Sequence, residues 1–254
     1  DCLPGWFLEE LAAFCRVLKP DFWLLGEVIH GDYRDWVRPG CLDATTNYEC
    51  YKGLFSSHND RNYFEIAWSL KRLFGAEGIY RGMALYNFAD NHDVSRIASS
   101  LTEYGHIFPL HILLFTIPGI PSVYYGSEWG SKAVKGNGDD WNLRPRITER
   151  GGDSELEKTI RTLAGIRRET PALREGGYRE LSVAVGGEQF AFCREHATGT
   201  VIVAVNAAAE ESHFHPGKYF PGRSFRDLLN GGRLYGADEV VSLHPRWGTI
   251  LRVE

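Results

Sequence analysis

The stretch at 22–29, Phe-Trp-Leu-Leu-Gly-Glu-Val-Ile, is apolar everywhere except Gly26 and Glu27. A strand of that kind has no polar face to turn to water, so it must be covered on both sides, as in a parallel sheet. Residues 6–18 precede it with Phe7, Leu8, Leu11, Phe14, Cys15 and Leu18 at helical period, and Lys19-Pro20-Asp21 stops that helix. An amphipathic helix running into a doubly buried strand is half of a βαβ unit. That pairing confines the chain to α/β architectures.

The pattern recurs down the chain. A weaker strand is predicted at 42–48, a helix at 63–74, and a strand at 83–88 that ends in Ala89-Asp90-Asn91-His92-Asp93. Helices are predicted within 94–101 and 109–117. Pro118-Gly119-Ile120-Pro121 then turns into a short strand at 122–125. Residues 132–152 are rich in Gly, Asn and Asp and read as a long loop, with Asp153 the expected N-cap of a helix ending near 169. After Pro171 the grammar changes. Segments 181–185, 189–194, 201–206 and 247–253 alternate or run β-branched between Gly-Gly and Thr-Gly turns. The expected division is α/β over 1–170 and an antiparallel β domain over 171–254.

Strands each followed by helical sequence fit two architectures. One is a small doubly wound sheet; the other is half of a (β/α)8 barrel, which takes roughly 250 residues when whole. No Gly-x-Gly-x-x-Gly follows a strand, so the first lacks the phosphate cradle of a dinucleotide site. A net charge of −5 on 254 residues gives no electrostatic reason to expect nucleic acid or an anionic membrane as partner. No apolar run approaches the length that spans a bilayer. The 5 cysteines form no CxxC and no His/Cys cluster at metal-ligand spacing. They read as reduced thiols, which points to the cytoplasm and assigns no metal ligands; Cys15 and Cys193 are expected in packing. The chain opens at Asp1 directly before a helix and reads as a piece of something longer.

The polar residues favour the half barrel. Glu27 ends one predicted strand, and Asn91, His92 and Asp93 follow another, far enough on for two βα units at roughly 30 residues each. In a parallel barrel all strand C-termini open on one face, where active sites are built. Two carboxylates about 5 Å apart across such a mouth are what retaining glycoside hydrolysis needs. Tyr33, Trp36, Tyr48, Tyr124, Tyr125 and Trp129 follow or end predicted strands, where sugar rings could stack on them. The plainer readings are a solvated strand end for Glu27, turn and N-cap chemistry for Asp-Asn-His-Asp, and core packing for the aromatics.

Five stretches in order resemble the α-amylase family, glycoside hydrolase family 13. They are Gly26-Glu27-Val28; Thr46-Asn47-Tyr48-Glu49-Cys50-Tyr51-Lys52-Gly53; Phe88-Ala89-Asp90-Asn91-His92-Asp93; Pro118-Gly119-Ile120-Pro121-Ser122-Val123-Tyr124-Tyr125-Gly126; and Ile166-Arg167-Arg168-Glu169-Thr170-Pro171-Ala172-Leu173. The second stretch is similar to the neopullulanase and maltogenic type. The resemblance implies strands five to eight of the barrel followed by an antiparallel β-sandwich. It makes Glu27 the general acid/base and Asp93 the carboxylate that stabilises an oxocarbenium-like transition state. His92 and Asn91 would bind the sugar at the cleavage subsite, with His30 and Trp36 on the leaving-group side.

The family's nucleophile is an Asp in Gly-x-Arg-x-Asp on the fourth strand, after an Asn-His signature on the third. Neither motif is in this sequence, and Asp1 lacks the Arg two residues before it. The resemblance therefore places the nucleophile, the first half of the barrel and any calcium ligands upstream. It implies an α-1,4-glucan hydrolase acting on maltooligosaccharides, the fragment alone being inactive. A transglycosylase or glucosyl isomerase with the same residues, or a catalytically dead homologue serving as a binding subunit, stays open.

Overall fold

Short parallel strands, taken in chain order, form the first part of the molecule. The computed structural model describes residues 2–136, 140–148, 151 and 154–254. Helix α1 (Gly5–Leu18) leads into strand β1 (Leu25–Gly26), and β2 (Ala44–Thr45) follows after a connection carrying only a 3₁₀ turn at Tyr33–Asp35. Helices α2 (Tyr48–Asn59) and α3 (Phe64–Phe74) precede β3 (Tyr86–Asn87). Then α4 (Ile97–Ser100) and α5 (Ile107–Thr116) precede β4 (Ile120–Pro121). Leu25 faces Ala44, a parallel bridge joins Thr46 to Tyr86, and Tyr86 faces Ile120. The order is thus β1-β2-β3-β4, all parallel. A doubly wound sheet reverses its order at a switch point, whereas a barrel does not. The strand order selects the half barrel.

The ladders are shorter than the apolar runs that predict them. The first pairing spans 24–26 and 43–46, where Asp43 and Ala44 both donate to Leu24 O and Thr46 donates to Gly26 O. The fourth strand lies at Ile120–Pro121 instead of 122–125. Its bonds run from Ile120 N to Leu85 O and from Ser122 N to Asn87 O, after which the chain swings out to a 3₁₀ turn at Ser127–Trp129. Gly119 makes this crossing possible: its φ is +108, and a Cβ there would sit 2.4 Å from Leu85 O. Helix α2 is absent from the sequence reading because its buried face includes Ser57 and His58 beside Leu54, which blurs the apolar period. Asn47 caps it by accepting from Cys50 N.

Helices α6 (Glu155–Glu169) and α7 (Pro171–Glu175) lead into strands β5 (Gly177–Val183), β6 (Gln189–His196), β7 (Gly199–Asn206), β8 (Ser212–Phe214), β9 (Phe225–Asp227), β10 (Leu234–Tyr235), β11 (Val241–Leu243) and β12 (Trp247–Val253). The expected cap Asp153 lies outside the described residues; Ser154 caps α6 by accepting from Glu157 N. Six strands make an antiparallel sheet in the order β10-β9-β12-β7-β6-β5, and β8 pairs with β11. Period-2 alternation divides the sheet's two faces. Phe190, Phe192, Val203 and Ile250 join one core with Leu70, Leu85 and Leu113 of the barrel part. Ala191, Cys193, Ile202 and Leu251 face Phe214, Val241 and Leu243 across the other. Cys193 is buried there, and Cys15 packs on a small cluster of Leu8, Ala12 and Leu42. Among the described residues no helix is long and apolar enough to cross a membrane.

Arg194, 1% exposed, pins the two parts together. Its guanidinium donates to Thr116 O at the end of α5 and to Leu173 O and Gly176 O around α7. Arg167 reaches Phe115 O and Gly119 O. Carbonyls at helix C-termini are the negative ends of the helix dipoles, so they offset the buried charge. Burial still pushes Arg194 down to about 9 and Arg167 to about 10, the positive charge of Arg167 adding to the first fall and that of Arg174 to the second.

His58 and His111 are buried within the first core, and burial pushes them down to about 3 and about 4. Tyr63 Oη bonds His58 Nε2 at 3.2 Å, and both rings donate to carbonyls one helical turn back. Well above the unfolded chain's ordinary value of about 6.5, neither state protonates these rings. Below it the unfolded chain takes up protons first, so stability falls as pH drops toward 4, by about 1.4 kcal/mol per pH unit for each ring. Urea midpoints should decline steadily from pH 7 to pH 5. A constant midpoint over that range would refute this account of the two rings.

Candidate active site

Each parallel strand delivers the residue after it to the same face of the sheet. Glu27 follows β1, Thr46 and Asn47 follow β2, Asn91 and His92 lie beyond β3, and Tyr124 and Tyr125 lie beyond β4. The register is held from below: Thr46 Oγ1 bonds both Val28 N and Val28 O, and buried Asn47 donates to Asn87 Oδ1 at 2.8 Å. A cavity of about 310 Å³ opens there, with Glu27, Asp90, Asn91, His92, Tyr124 and Tyr125 in its wall.

Glu27 and the Asn91-His92-Asp93 turn meet through Tyr48. The Tyr48 hydroxyl donates to Glu27 Oε1 at 3.1 Å and accepts from Asn91 Nδ2 at 3.3 Å. Asn91 Oδ1 in turn accepts from Asp93 N at 2.8 Å. Burial raises the Tyr48 phenol, and the negative charges of Glu27 and Asp93 both add to that rise. Asp93 is gripped by Arg144 Nη2 at 2.6 Å and by His92 Nε2 at 3.3 Å.

Asp90, 3% exposed, braces the floor. Its oxygens take Ile97 N at 2.8 Å and lie 2.7 and 2.9 Å from Ser127 Oγ, while burial raises its carboxyl above the usual carboxylate range. Buried Arg96 lies 4.2 Å from the Tyr124 ring and donates to Tyr125 O and Leu143 O, which fixes the aromatic wall.

Other expected residues lie elsewhere. His30 lines a second cavity of about 820 Å³. Trp36 packs half-buried against the core, its ring about 3.0 Å from where a Cβ on Gly31 would stand. Neither lines the cavity that holds Glu27. Tyr33 is a core residue stacked on Tyr80 at 5.0 Å, and Trp129 donates its indole N–H to Glu157. Arg144 is unread in the sequence because it lies in a polar loop with no pattern. Asp90 stands inside the quoted motif, and its burial is a tertiary fact. Among the described residues no group of three or more His, Cys, Asp or Glu is placed to hold a metal ion.

The sequential parallel order, with these side chains gathered at the strand C-termini, defines the active-site face of a (β/α)8 barrel in its second half. Residues 5–176 match the family described as alpha amylase, catalytic domain. The chain belongs to the α-amylase family. It is 25% identical over 254 residues to a cyclomaltodextrinase of Geobacillus thermopakistaniensis (strain MAS1), covering 96% of this chain and 42% of that protein. A maltogenic alpha-amylase of Bacillus acidopullulyticus is 25% identical over 209 residues, 79% of this chain and 34% of its own length. The crystal structure of an Anoxybacillus alpha-amylase superposes with a TM-score of 0.82 at 26% identity, over 99% of this chain and 56% of that one. The chain thus spans well under half the length of these two curated relatives.

Proposed function

We propose that this chain is the second half of the catalytic barrel of a retaining α-glucan hydrolase that cleaves α-1,4 bonds in maltooligosaccharides. The observation that carries the reading is the link from Glu27 through Tyr48 and Asn91 to Asp93, with Glu27, Asn91 and His92 lining one cavity. Glu27 protonates the glycosidic oxygen as the bond to the anomeric carbon breaks, and a carboxylate from outside these residues takes that carbon. Glu27 then removes a proton from the water that releases the sugar. Asp93, paired with Arg144 and beside His92, offsets the positive charge of the oxocarbenium-like transition state. His92 and Asn91 donate to the bound ring.

The cover for the open edge supports the same reading. Trp6, Phe14, Val17 and Leu18 on α1, Trp23 before β1 and Leu25 in β1 are exposed, and β1 pairs with β2 alone among the described residues. In the proposed enzyme the first four barrel strands and their helices bury that side.

Two measurements test this. The first product released from maltoheptaose by the enzyme should carry the α configuration by proton NMR; β product would exclude a double displacement. Tyr48→Phe should lower kcat about 10-fold with little change in KM, because it removes one hydrogen bond to a charged group and keeps the ring contacts with Tyr51 and Phe88. An unaltered kcat would remove Tyr48 from the positioning of Glu27.

A further inference from the structure

We propose that the cavity of about 450 Å³ where the barrel part meets the β domain binds a phosphate group, carried by a small phosphomonoester or free in solution. The site is independent of the reading of Glu27. Met83 and Ala84 in its wall precede β3, and Pro118 and Gly119 precede β4. The cavity therefore lies at the N-terminal ends of the strands, on the face opposite the one that carries Glu27.

The charge in the wall is one-sided. Arg81, Arg174 and Arg194 line the cavity against a single carboxylate, Glu175. The whole chain carries −5, so its general composition does not account for a positive excess here. Glu175 stands 3.8 Å from Arg174 with its side chain exposed, where water screens most of the attraction. Arg167 stands behind the wall: the charge of Arg174 lowers it, and its own charge lowers Arg194. The three guanidiniums are thus near enough to repel in series. Among the described residues no carboxylate pairs with Arg167 or Arg194, whose donors go to carbonyls. An anion in the cavity would replace that repulsion with attraction.

Donors remain for it. Arg194 Nη2 carries two N–H groups and gives one to Gly176 O. Arg81 is anchored by one bond, from Nη1 to Ala76 O at 2.9 Å, and Arg174 by one from Nη1 to Arg168 O. Each leaves most of its five-donor fork open. Tyr178 supplies a separate sign. It lines the cavity and is 6% exposed, and its hydroxyl is buried with no hydrogen-bond partner among the described residues. Burial raises the phenol, so it stays a donor at neutral pH. A buried O–H without an acceptor is costly, and a phosphate oxygen is an acceptor.

The volume exceeds what a bare phosphate fills and falls within the range of small-molecule sites. Phe74 and Met83 give the wall an apolar stretch on which the carbon skeleton of a phosphomonoester can rest.

Calorimetry on the full-length enzyme tests this with two probes, inorganic phosphate and glucose 6-phosphate, at an ionic strength held constant with sodium chloride. Glucose 6-phosphate is expected to bind, with inorganic phosphate competing for the same site. Binding of inorganic phosphate alone would also support the site and make free phosphate its ligand. Arg81→Gln combined with Arg174→Gln should weaken binding about 10-fold or more, the loss expected for hydrogen bonds to a charged group. Both side chains are exposed, so the unfolding temperature without ligand should hardly move. If the double variant fails to fold, Arg81→Gln alone carries the comparison. No binding of either probe, or equal affinity in wild type and variant, overturns the proposal. Maltodextrin hydrolysis by the same wild-type preparation reports on the catalytic reading separately.

Discussion

Replacing Glu27 by Gln in the active enzyme is expected to lower kcat on maltodextrin by about 10²–10⁴-fold, the range for losing a general acid–base. The amide keeps the shape of the carboxylate and can still meet the Tyr48 hydroxyl, which lies 3.1 Å from Glu27 Oε1. Substrate should therefore bind with KM little altered. The missing ingredient is the proton for the leaving oxygen, so a substrate with an activated aryl leaving group should recover much of the first step. Deglycosylation, which needs the same group as base, should stay slow and let the glycosyl-enzyme accumulate. Normal turnover of maltodextrin by Glu27→Gln would show that another residue is the acid.

Residues 1–254 purified alone are expected to release no reducing sugar from maltodextrin and to run above their monomer mass of 28.7 kDa. Two independent facts lead there. The double displacement needs a nucleophilic carboxylate about 5 Å from the acid, and the sequence has no Gly-x-Arg-x-Asp to supply it. The second fact is the uncovered side of α1 and β1. Val17 is 83% exposed, Leu18 71%, Phe14 64% and Trp6 62%, and burying one such side chain is worth roughly 1.5–3 kcal/mol. Several of them together rival the roughly 5–15 kcal/mol that holds a whole domain folded. The unpaired edge of β1 adds N–H and C=O groups that template association. Mass photometry and a reducing-sugar assay on the purified chain check both parts. A stable, hydrolysing monomer would refute the half barrel and the external nucleophile together.

Sequence alone determined the elements whose pattern is local. Helices α1 and α3 show their period in consecutive residues, α5 shows as an apolar run, and the central strands β6 and β7 show as β-branched and apolar runs between turns. Glu27 and Asn91-His92-Asp93 were legible because each interrupts or ends an apolar run, where a strand hands over to its loop. Tertiary structure decided what depends on residues far apart. The order β1-β2-β3-β4 comes from hydrogen bonds between strands, and nothing within one strand records which neighbour it will take. Tyr48 reaches Glu27 across 21 positions and Arg144 reaches Asp93 across 51, so neither partnership leaves a local trace. His30 and Trp36 lie three and nine residues past the acid, yet they diverge to a groove and to the core. A connection too short for a helix must turn sharply, and where its side chains end up is settled by packing against α2 and α3.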